Sequence, residues 1–581
     1  MAPSFTGDPG KPEDPSKAVV GYCEPWSLRA GERIELKASS HIPGEAALRL
    51  VRLSCGDPTS TGPGFAEHEV PSSLPAHVDL DEQPIVSGSF ATIDLDGLQA
   101  ASRLALTFSL MATRPQEPQS IMAITGDRFR VEVGLEDGVL VLRSGDASMN
   151  LFPRRPLSNR RWYDVAVNVD LIAGRLHATM TTEPSASPGR DLLEPIDTAT
   201  EGDIQISANH QVALTSLEFA ATAGDDGSLR GNFDGRIARP KLTVDDQHLW
   251  WDLGQDMAGR AMVDGTGQHR HGELHQLPTR AVTGPTWDGS EQRWTVDPSQ
   301  WDAVHFHKGD LYDAGWATTA SFEVPVDLPS GIYAFHVAHA DAEAGEDRIP
   351  FFVRPAEDGP TADVALLMSS ATYLAYANHR MLFEGADFIQ TRRRLRPEHE
   401  YVRTHPELGP SMYEKHSDGS GVMFSSRRRP VLNLRPGADG WNFTPDTDIN
   451  AYLEHTGIGH DIIADEDVHE DGFAALDPYR VIVTCSHPEY WSTEMLDALD
   501  AWQRQGGRLM YLGGNGLYWR VAFSDAWPGA MELRRAEDGV RNWQTGDGES
   551  YHAFSGEYGG MWRRNGRPPN ELVGVGFAAQ G

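Results

Sequence analysis

The chain has 581 residues, of which 84 are acidic and 50 are basic, for a formal net charge of −34. A surface this acidic repels nucleic-acid phosphates and anionic lipid, so neither nucleic acid nor a membrane is expected as a partner. Hydrophobic residues (39%) and charged residues (23%) have ordinary globular values, and 58 glycines with 38 prolines predict a multidomain, strand-rich fold with many turns.

The start of the chain predicts a flexible tail over residues 1–17, without the basic end and apolar run of a signal peptide. No apolar stretch approaches the roughly 20 residues of a membrane span. The three cysteines, Cys23, Cys55 and Cys485, lie far apart and lack CxxC spacing, so neither disulfides nor a thiolate zinc site is predicted. We therefore expect a cytoplasmic protein.

Short segments of alternating polarity predict an Ig-like β-sandwich over residues 18–88, completed by further strands over residues 295–355. Between them, residues 89–294 keep a period close to two. The pair Trp162-Tyr163, the strand after it and the turn at Ala173-Gly174 resemble a laminin-G-like, concanavalin-like jelly roll. Such a module suggests either glycan binding or an assembly role, and fold alone does not choose between them.

The cluster His269, His271 and His275 allows either a metal site or a solvated glycine-rich loop. After a Pro/Gly/Asp linker, residues 361–581 predict an α/β domain with a parallel, doubly wound sheet, because buried-type strands alternate with helical patterns. Its strands are predicted at 364–368, 461–464, 481–485 and 508–512. Thr447 is the predicted N-cap of a helix over 448–455, and Ser492 or Thr493 opens the next helix.

Basic runs at 392–394 and 427–429 lie in a long excursion between the first strand and its helix. They allow an anion site, but an acidic chain favours salt bridges.

Polar side chains follow the third strand, at His487, Glu489 and Tyr490, where open α/β sheets bind ligands. Cys485 ends that strand; it could be a nucleophile, but without a Gly-x-Cys-x-Gly elbow a buried strand residue is favoured.

Three motifs follow in order: Ser-His-Pro-Glu-Tyr-Trp (486–491), Leu-Gly-Gly-Asn-Gly-Leu-Tyr-Trp-Arg (512–520) and Tyr-His-Ala-Phe-Ser-Gly-Glu-Tyr-Gly-Gly-Met-Trp-Arg (551–563). Together with the module order, they resemble the large (β) subunit of N,N-dimethylformamidases. The resemblance implies a glutamine-amidotransferase-like α/β domain. It also implies a hydrolase of small linear amides that contains one iron ion, held as Fe(III) by two tyrosines and one glutamate.

Carried onto this chain, the resemblance implies Tyr490 and Glu557 as iron ligands, with Tyr452 as the favoured second tyrosine and Tyr373 or Tyr376 as alternatives. A phenol is neutral at pH 7 unless a strongly Lewis-acidic cation holds it as phenolate.

By position, His552 is the predicted proton-transferring base and Asn515 a donor to the oxyanion, while His487 supports the site. A small accessory subunit in a hetero-oligomer is also implied. Family members run past residue 581, which predicts further sheet and another acidic residue elsewhere. A glycan-binding scaffold and a Cys485-dependent amidohydrolase are the alternatives.

Overall fold

The computed structural model describes residues 17–59, 63–151, 156–182, 199–207, 211–223, 229–230, 232–356, 359–380, 396–438, 441–539 and 542–577. The fold is mostly β-sheet, with 40% strand and 13% helix. Within these ranges, no helix combines the length and the apolar character that crossing a membrane requires. Residues 1–16 of the predicted tail and the basic run at 392–394 lie outside the described residues, whereas Lys17, the last residue of that tail, is described and is buried.

The first strands form a small sandwich. They are β1 (Val19–Glu24), β2 (Ser27–Arg29), β3 (Arg33–Ser40), β4 (Gly44–Cys55), β5 (Ala66–Val70) and β6 (His77–Leu80).

The middle of the chain contributes a second, larger set. It comprises β7 (Phe90–Asp94), β8 (Arg103–Ala112), β9 (Gln119–Gly126), β10 (Phe129–Glu136), β11 (Val139–Ser144), β12 (Ala147–Leu151), β13 (Trp162–Asp170), β14 (Arg175–Thr182), β15 (Thr200–Gln205), β16 (Leu214–Phe219), β17 (Thr222–Ala223), β18 (Leu229–Arg230), β19 (Gly235–Val244), β20 (Gln247–Asp252), β21 (Ala261–Asp264), β22 (Gly272–His275), β23 (Thr279–Val282) and β24 (Ala303–Phe306).

A jelly-roll-like sheet with a path of 14 strands dominates this middle part, running from β12 at one end to β15 at the other. The sheet is nearly closed, since β12 and β15 pack against each other. Its alternating residues bury one face, as period-two patterns predict. At the turn between β13 and β14, Gly174 has φ of 62°, a conformation that glycine adopts without strain.

Three later strands return to the sandwich: β25 (Ala320–Glu323), β26 (Gly331–His339) and β27 (Glu346–Arg354). One sheet has the order β1-β3-β25, and the other has the order β2-β27-β26-β4-β5 with β6 added to β4. The long β4 and β26 pair antiparallel from Tyr333 opposite Arg52 to His339 opposite Ala46. The chain therefore leaves the sandwich after β6 and re-enters it at β25.

The last region mixes helices and strands. Its elements are β28 (Val364–Met368), α1 (Ser370–Ala375), α2 (Pro397–Thr404), β29 (Phe424–Ser426), α3 (Phe443–His455), β30 (Asp461–Ala464), α4 (Asp465–Asp471), α5 (Phe473–Leu476), β31 (Val481–Thr484), β32 (Tyr490–Trp491), α6 (Thr493–Arg504), β33 (Arg508–Met510), β34 (Trp519–Phe523), β35 (Ala530–Leu533) and α7 (Asn570–Val573).

A parallel sheet of four strands, in the order β30-β28-β31-β33, forms the centre of this region. Beyond β33 the pairing does not extend this sheet. The chain instead enters a second sheet with the order β29-β35-β34-β32, in which two of the three pairings are antiparallel. The predicted parallel strands are therefore present. The implied amidotransferase-like domain is not supported, because the parallel sheet stops at four strands.

Two helix starts show how local and tertiary signals differ. Ser492 caps α6 as predicted, its hydroxyl accepting from the backbone N–H of Met495. Thr447 is not a cap, because α3 already begins at Phe443 and Thr447 lies inside it. The Thr447 hydroxyl donates to the carbonyl of Thr444 and accepts from the N–H of Gly56, so it joins the helix to the end of β4.

One hydrophobic core joins the sandwich to the parallel sheet. It contains side chains of β2 and β27, such as Leu28 and Val353, together with Leu366 of β28 and Ala464 at the end of β30. The jelly roll has its own core. Because α1 and the strand ends of the parallel sheet are packed into a shared core, the loops at that edge have rigid supports.

Candidate functional site

Three tyrosines and one glutamate meet at the carboxyl edge of the parallel sheet. Tyr376 follows α1, Glu489 and Tyr490 follow β31, and Tyr413 comes from the excursion between β28 and α3. The hydroxyl oxygens of Tyr376 and Tyr413 lie 2.5 Å apart, and that of Tyr490 lies 2.6 Å from Tyr413. Glu489 Oε2 lies 2.9 Å from the Tyr376 hydroxyl, and Oε1 lies 3.4 Å from that of Tyr413. We call these four residues the tyrosine–glutamate cluster.

The backbone around Glu489 is held by side-chain and main-chain hydrogen bonds. The Thr372 hydroxyl in α1 donates to the carbonyl of His487 and accepts from the N–H of Glu489. The carbonyl of Glu489 accepts from the N–H groups of Tyr518 and Trp519. This loop is therefore tied to α1 on one side and to the start of β34 on the other.

Both carboxylate oxygens of Glu489 have a further partner. His487 Nε2 lies 2.9 Å from Oε2, and Asn515 Nδ2 donates to Oε1 at 3.4 Å. The His487 ring also packs against Trp441, with ring centroids 4.6 Å apart. These contacts orient the carboxylate toward the tyrosine hydroxyls, which is the role that outer-shell groups have at metal and catalytic sites.

Burial sets the charge state of the cluster. It raises the pKa of the Tyr376, Tyr413 and Tyr490 hydroxyls, and the charge of Glu489 raises them further, so all three phenols are protonated near neutral pH. The Arg535 guanidinium lies 4.5 Å above the ring of Tyr413 and 4.7 Å from that of Trp519. Although burial lowers the pKa of Arg535, its interactions with Tyr490, Tyr413 and Glu489 raise it overall.

The donor set fits a hard, highly charged cation. Two phenol oxygens and one carboxylate oxygen lie within hydrogen-bonding distance of one another in a buried site. Oxygen ligands of this type suit hard cations, and a cation of charge three would replace the two phenolic protons and balance the resulting anions. Within the described part of the chain, Tyr376, Tyr413 and Glu489 thus form a ligand set that could hold iron.

The sequence comparisons agree with the motifs. The family described as "N,N-dimethylformamidase beta subunit-like, C-terminal" matches residues 279–581. The N,N-dimethylformamidase beta subunit of an Alcaligenes species is 30% identical over 97% of this chain and 80% of its own length. That of Paracoccus aminophilus is 31% identical over the same shares. The chain belongs to the N,N-dimethylformamidase beta subunit family.

The structural comparisons add little to this family assignment. A putative carbohydrate-binding protein from Bacteroides ovatus has 13% identity over 43% of this chain and 68% of its own, with a TM-score of 0.23. A pentraxin from Limulus polyphemus covers 33% of this chain and 76% of its own, at 11% identity and a TM-score of 0.20. At these scores neither likeness bears on fold or function.

The structure brings some of the predicted site residues together and separates others. Tyr490, His487 and Asn515 belong to the tyrosine–glutamate cluster or contact it. Tyr452 lies on α3 with 62% of its surface exposed, whereas Tyr490 is fully buried. The carboxylate of Glu557 contacts Thr493 and Arg520 instead. Among the described contacts, none joins Tyr452 or Glu557 to Tyr490.

The predicted base, His552, and the rival nucleophile, Cys485, are both deeply buried. His552 is fully buried, and its ring nitrogens have no hydrogen-bond partner within the described part of the chain. Burial lowers the pKa of His552 well below its ordinary value. Cys485 is also fully buried, beside the sulfur of Met368, and burial raises the pKa of its thiol. A thiolate nucleophile is therefore disfavoured there.

Tyr413 is the site residue that sequence reasoning missed. It lies 76 positions before Glu489, in an excursion without a strong pattern, and no spacing rule connects the two. Tyr376 was an alternative because it follows the first parallel strand. The clue that was available is the position of both tyrosines between the first strand and α3, since long excursions in compact domains often carry function.

The basic run at 427–429 and the histidines at 269–275 make contacts within the protein. Arg427 pairs with Glu24 and Glu466, and Arg428 with Asp313, so this run forms salt bridges. His271 accepts from the N–H of Asp264, and His275 stacks on Phe90. The three histidines at 269–275 thus form no metal-ligand group among the described side chains.

Proposed function

We propose that this chain is the large subunit of an iron-dependent amidase that hydrolyses N,N-dimethylformamide or a similar small N-substituted amide to a carboxylic acid and an amine. Tyr376, Tyr413 and Glu489 are the proposed iron ligands. The observation that carries the proposal is the convergence of two phenol oxygens and one carboxylate at the edge of the parallel sheet. Family membership supplies the substrate class.

Bound iron supplies a Lewis acid that polarises the amide carbonyl or lowers the pKa of a water molecule. The protein supplies the orientation of the ligands. His487 and Asn515 hold the two oxygens of Glu489, and Arg535 lies against the ring of Tyr413. In this scheme Tyr490 is not a ligand: its hydroxyl lies 2.6 Å from that of Tyr413, and it would donate to that oxygen once Tyr413 has lost its proton.

His487 is the proposed proton carrier. When Nε2–H donates to Glu489 Oε2, Nδ1 is left as the acceptor. Water adds to the carbonyl carbon as Nδ1 takes its proton, the C–N bond breaks, and the proton passes to the leaving amine. The products from dimethylformamide are formate and dimethylamine. Asn515 is better placed to orient Glu489 than to bind an oxyanion.

The relatives are named as beta subunits, which implies that they assemble with a second type of chain. We propose a corresponding small partner subunit for this protein.

The decisive experiment measures iron per chain, visible absorption and dimethylamine release for the purified protein and for three variants. Tyr376→Phe, Tyr413→Phe and Glu489→Gln each remove one proposed ligand with little change in side-chain volume. Each variant is expected to lose bound iron, the visible phenolate-to-iron absorption and activity. Far-ultraviolet circular dichroism checks that each variant is folded.

Two variants serve as controls. Tyr452→Phe makes the same chemical change at an exposed tyrosine, and Cys485→Ser removes the rival nucleophile. Both are expected to keep iron and activity. Iron retained in all three ligand variants would contradict the proposed site, and activity lost only in Cys485→Ser would favour the thiol mechanism instead.

A further inference from the structure

A second group of metal-binding side chains lies where the jelly roll meets the excursion that carries Tyr413. His305 is in β24 and His307 follows it, while His416 and Asp418 lie in the turn 416–420. Asp310 completes the set. We call these five residues the histidine–aspartate cluster. The side chains of His305, His307 and Asp418 are 4%, 2% and 0% exposed, so the cluster is shielded from water.

Three ligand atoms are close enough to share one ion. His305 Nε2 lies 3.1 Å from Asp418 Oδ2, and His307 Nε2 lies 3.9 Å from the same oxygen. Two ligands of a tetrahedral zinc ion, each about 2.1 Å from the metal, lie roughly 3.4 Å apart. The two separations from Asp418 bracket this value and each differs from it by well under one ångström, and all three ligand atoms lie within 4.8 Å of one another.

A carboxylate orients the central histidine. His307 Nδ1 lies 3.3 Å from Asp310 Oδ2, and that oxygen also accepts a hydrogen bond from the Ser89 hydroxyl at 2.6 Å. This contact requires a proton on Nδ1. Nε2 faces the Ser420 hydroxyl and Asp418, so an ion bound there would replace any proton that Nε2 carries. A carboxylate–histidine pair of this kind is the usual outer support of a metal-binding imidazole.

Charge repulsion among the histidines disfavours a state of the cluster in which every imidazole is protonated. The rings of His307 and His416 stack with centroids 3.7 Å apart, and that of His305 lies 4.0 Å from His307. Three imidazoles at these distances cannot all be protonated. Burial lowers the pKa of both His305 and His416, whereas at His307 the charges of Asp310 and Asp418 outweigh burial and raise the pKa. Neutral imidazole is the metal-binding form. His416 Nδ1 is buried, and no hydrogen-bond partner for it is found among the described residues.

We propose that His305, His307 and Asp418 bind a divalent transition-metal ion of the zinc type, with Asp310 orienting His307. Imidazole and carboxylate ligands suit such ions. The nearby Arg236 guanidinium does not compete with the ion, because it is paired with Glu549. The Ser420 hydroxyl or water completes the coordination.

The ion joins two distant parts of the chain. His305 and His307 belong to the jelly-roll edge, whereas Asp418 lies five residues after Tyr413. Holding the turn 416–420 therefore restrains the segment that presents Tyr413. That consequence rests on the proposed function, but binding of the second metal does not.

The test uses the full chain carrying Glu489→Gln, so that the first site is disabled in every protein compared. After chelator treatment, each protein is titrated with zinc, and zinc per chain and the thermal midpoint are measured. The Glu489→Gln parent is expected to bind stoichiometric zinc and to melt at a higher temperature with it. Cobalt in place of zinc is expected to give a visible ligand-field spectrum.

The matched variants are His305→Gln/His307→Gln and His269→Gln/His271→Gln, which change the same His-x-His pattern at a buried and at an exposed place. Asp418→Asn is a milder variant that keeps the side-chain shape if the first pair fails to fold. Zinc binding and the thermal shift are expected to be lost in the first pair and in Asp418→Asn, and kept in the exposed pair. No stoichiometric zinc in the parent, or equal zinc in Asp418→Asn, would overturn the proposal.

The two proposals fail separately. Iron loss is measured in the single-ligand variants of the tyrosine–glutamate cluster, whereas zinc binding is measured with that cluster already disabled. A chain that binds zinc at His305 and His307 but never contains iron would keep this inference and reject the iron site.

Discussion

Tyr490 has two conceivable roles, as an iron ligand or as a hydrogen-bond donor to a ligand. The position of its hydroxyl oxygen distinguishes them. Its hydroxyl is 2.6 Å from that of Tyr413 and is not among the oxygens that contact Glu489 in the described structure. Burial raises the pKa of Tyr490 as it does those of Tyr376 and Tyr413, so the pKa does not separate the three phenols. The contacts do: the described hydroxyls of Tyr376 and Tyr413 reach Glu489, whereas that of Tyr490 reaches only Tyr413, which suits it to donate a hydrogen bond to a neighbouring phenolate.

We predict that Tyr490→Phe keeps iron but lowers metal affinity or activity by roughly 10- to 100-fold, as loss of an outer-shell partner does. The visible absorption should shift rather than vanish, because the hydrogen bond to the Tyr413 oxygen is lost. Iron content and the absorption spectrum provide the measurement. Complete loss of iron, with the fold intact, would instead make Tyr490 a ligand.

At this scale the sequence predicted part of the site. The Ser-His-Pro-Glu-Tyr-Trp motif identified His487, Glu489 and Tyr490 as an active-site segment because it follows a buried strand. Which residue of this motif belongs to the proposed ligand set depends on its contact with Tyr413. Tyr413 comes from a distant loop, and nothing in the local sequence pattern indicates that contact.

Asp446 connects two elements, since it lies in the first turn of α3 and accepts hydrogen bonds at the end of β31. Ser486 donates to it through its N–H and hydroxyl groups, and Tyr373 through its hydroxyl. Burial raises the pKa of Asp446 from 3.8 to about 6 despite these donors. Asp446 is thus proton-bound in the folded protein at a pH where the unfolded chain is ionised.

The raised pKa of Asp446 fixes the direction in which the free energy of unfolding changes with pH. Between about pH 4 and pH 6 the folded state binds more protons at this site than the unfolded state, so the stabilisation present at low pH is lost as pH rises through about 6. Asp446→Asn cannot titrate. Relative to the parent, its free energy of unfolding should rise by at most about 3 kcal/mol from pH 4 to pH 7.

Urea unfolding at several pH values measures this difference. Asp477→Asn, at an exposed position, is the control and should track the parent at every pH. A constant difference between Asp446→Asn and the parent across this pH range would show that Asp446 is not protonated in the folded state.

Element positions were largely predictable from polarity. The strand predicted at 461–464 has these bounds in the structure, and those at 481–485 and 508–512 are each shorter at their carboxyl ends. The predicted start of α3, at residue 448, was wrong: the helix begins five residues earlier, at Phe443. Its Pro445 is compatible with a first helical turn, and Thr447, a good capping residue locally, is instead used in the tertiary contact with Gly56.

At the level of the whole molecule, a buried ion pair joins the sandwich to the α/β region. Arg435 contacts both carboxylate oxygens of Asp347 in β27, at 2.7 and 2.9 Å, and also donates to the carbonyl of Gly21. Lys17 lies 3.0 Å from the same carboxylate. Although burial raises the pKa of Asp347, the two cations lower it overall.

Arg435→Ala is expected to destabilise the protein by about 3 kcal/mol or more, because it leaves a buried carboxylate with incomplete compensation. The shared core should make the sandwich and the α/β region unfold together. Circular dichroism and tryptophan fluorescence during urea unfolding measure both points.

Arg480→Ala is the control. It breaks the exposed pair with Asp363 and should change stability by less than about 1 kcal/mol. Equal effects of the two substitutions would contradict this account.

The sequence alone determined the acidic surface, the strand-rich first part, the parallel strands that follow and the motif with Glu489 at a strand end, because polarity patterns and turn residues act locally. Only the tertiary structure decided which tyrosines reach Glu489, and that His305 and His307 meet Asp418 more than 100 residues away. Such contacts depend on the path of long loops and on a shared core, and neither is encoded in the spacing of a few residues.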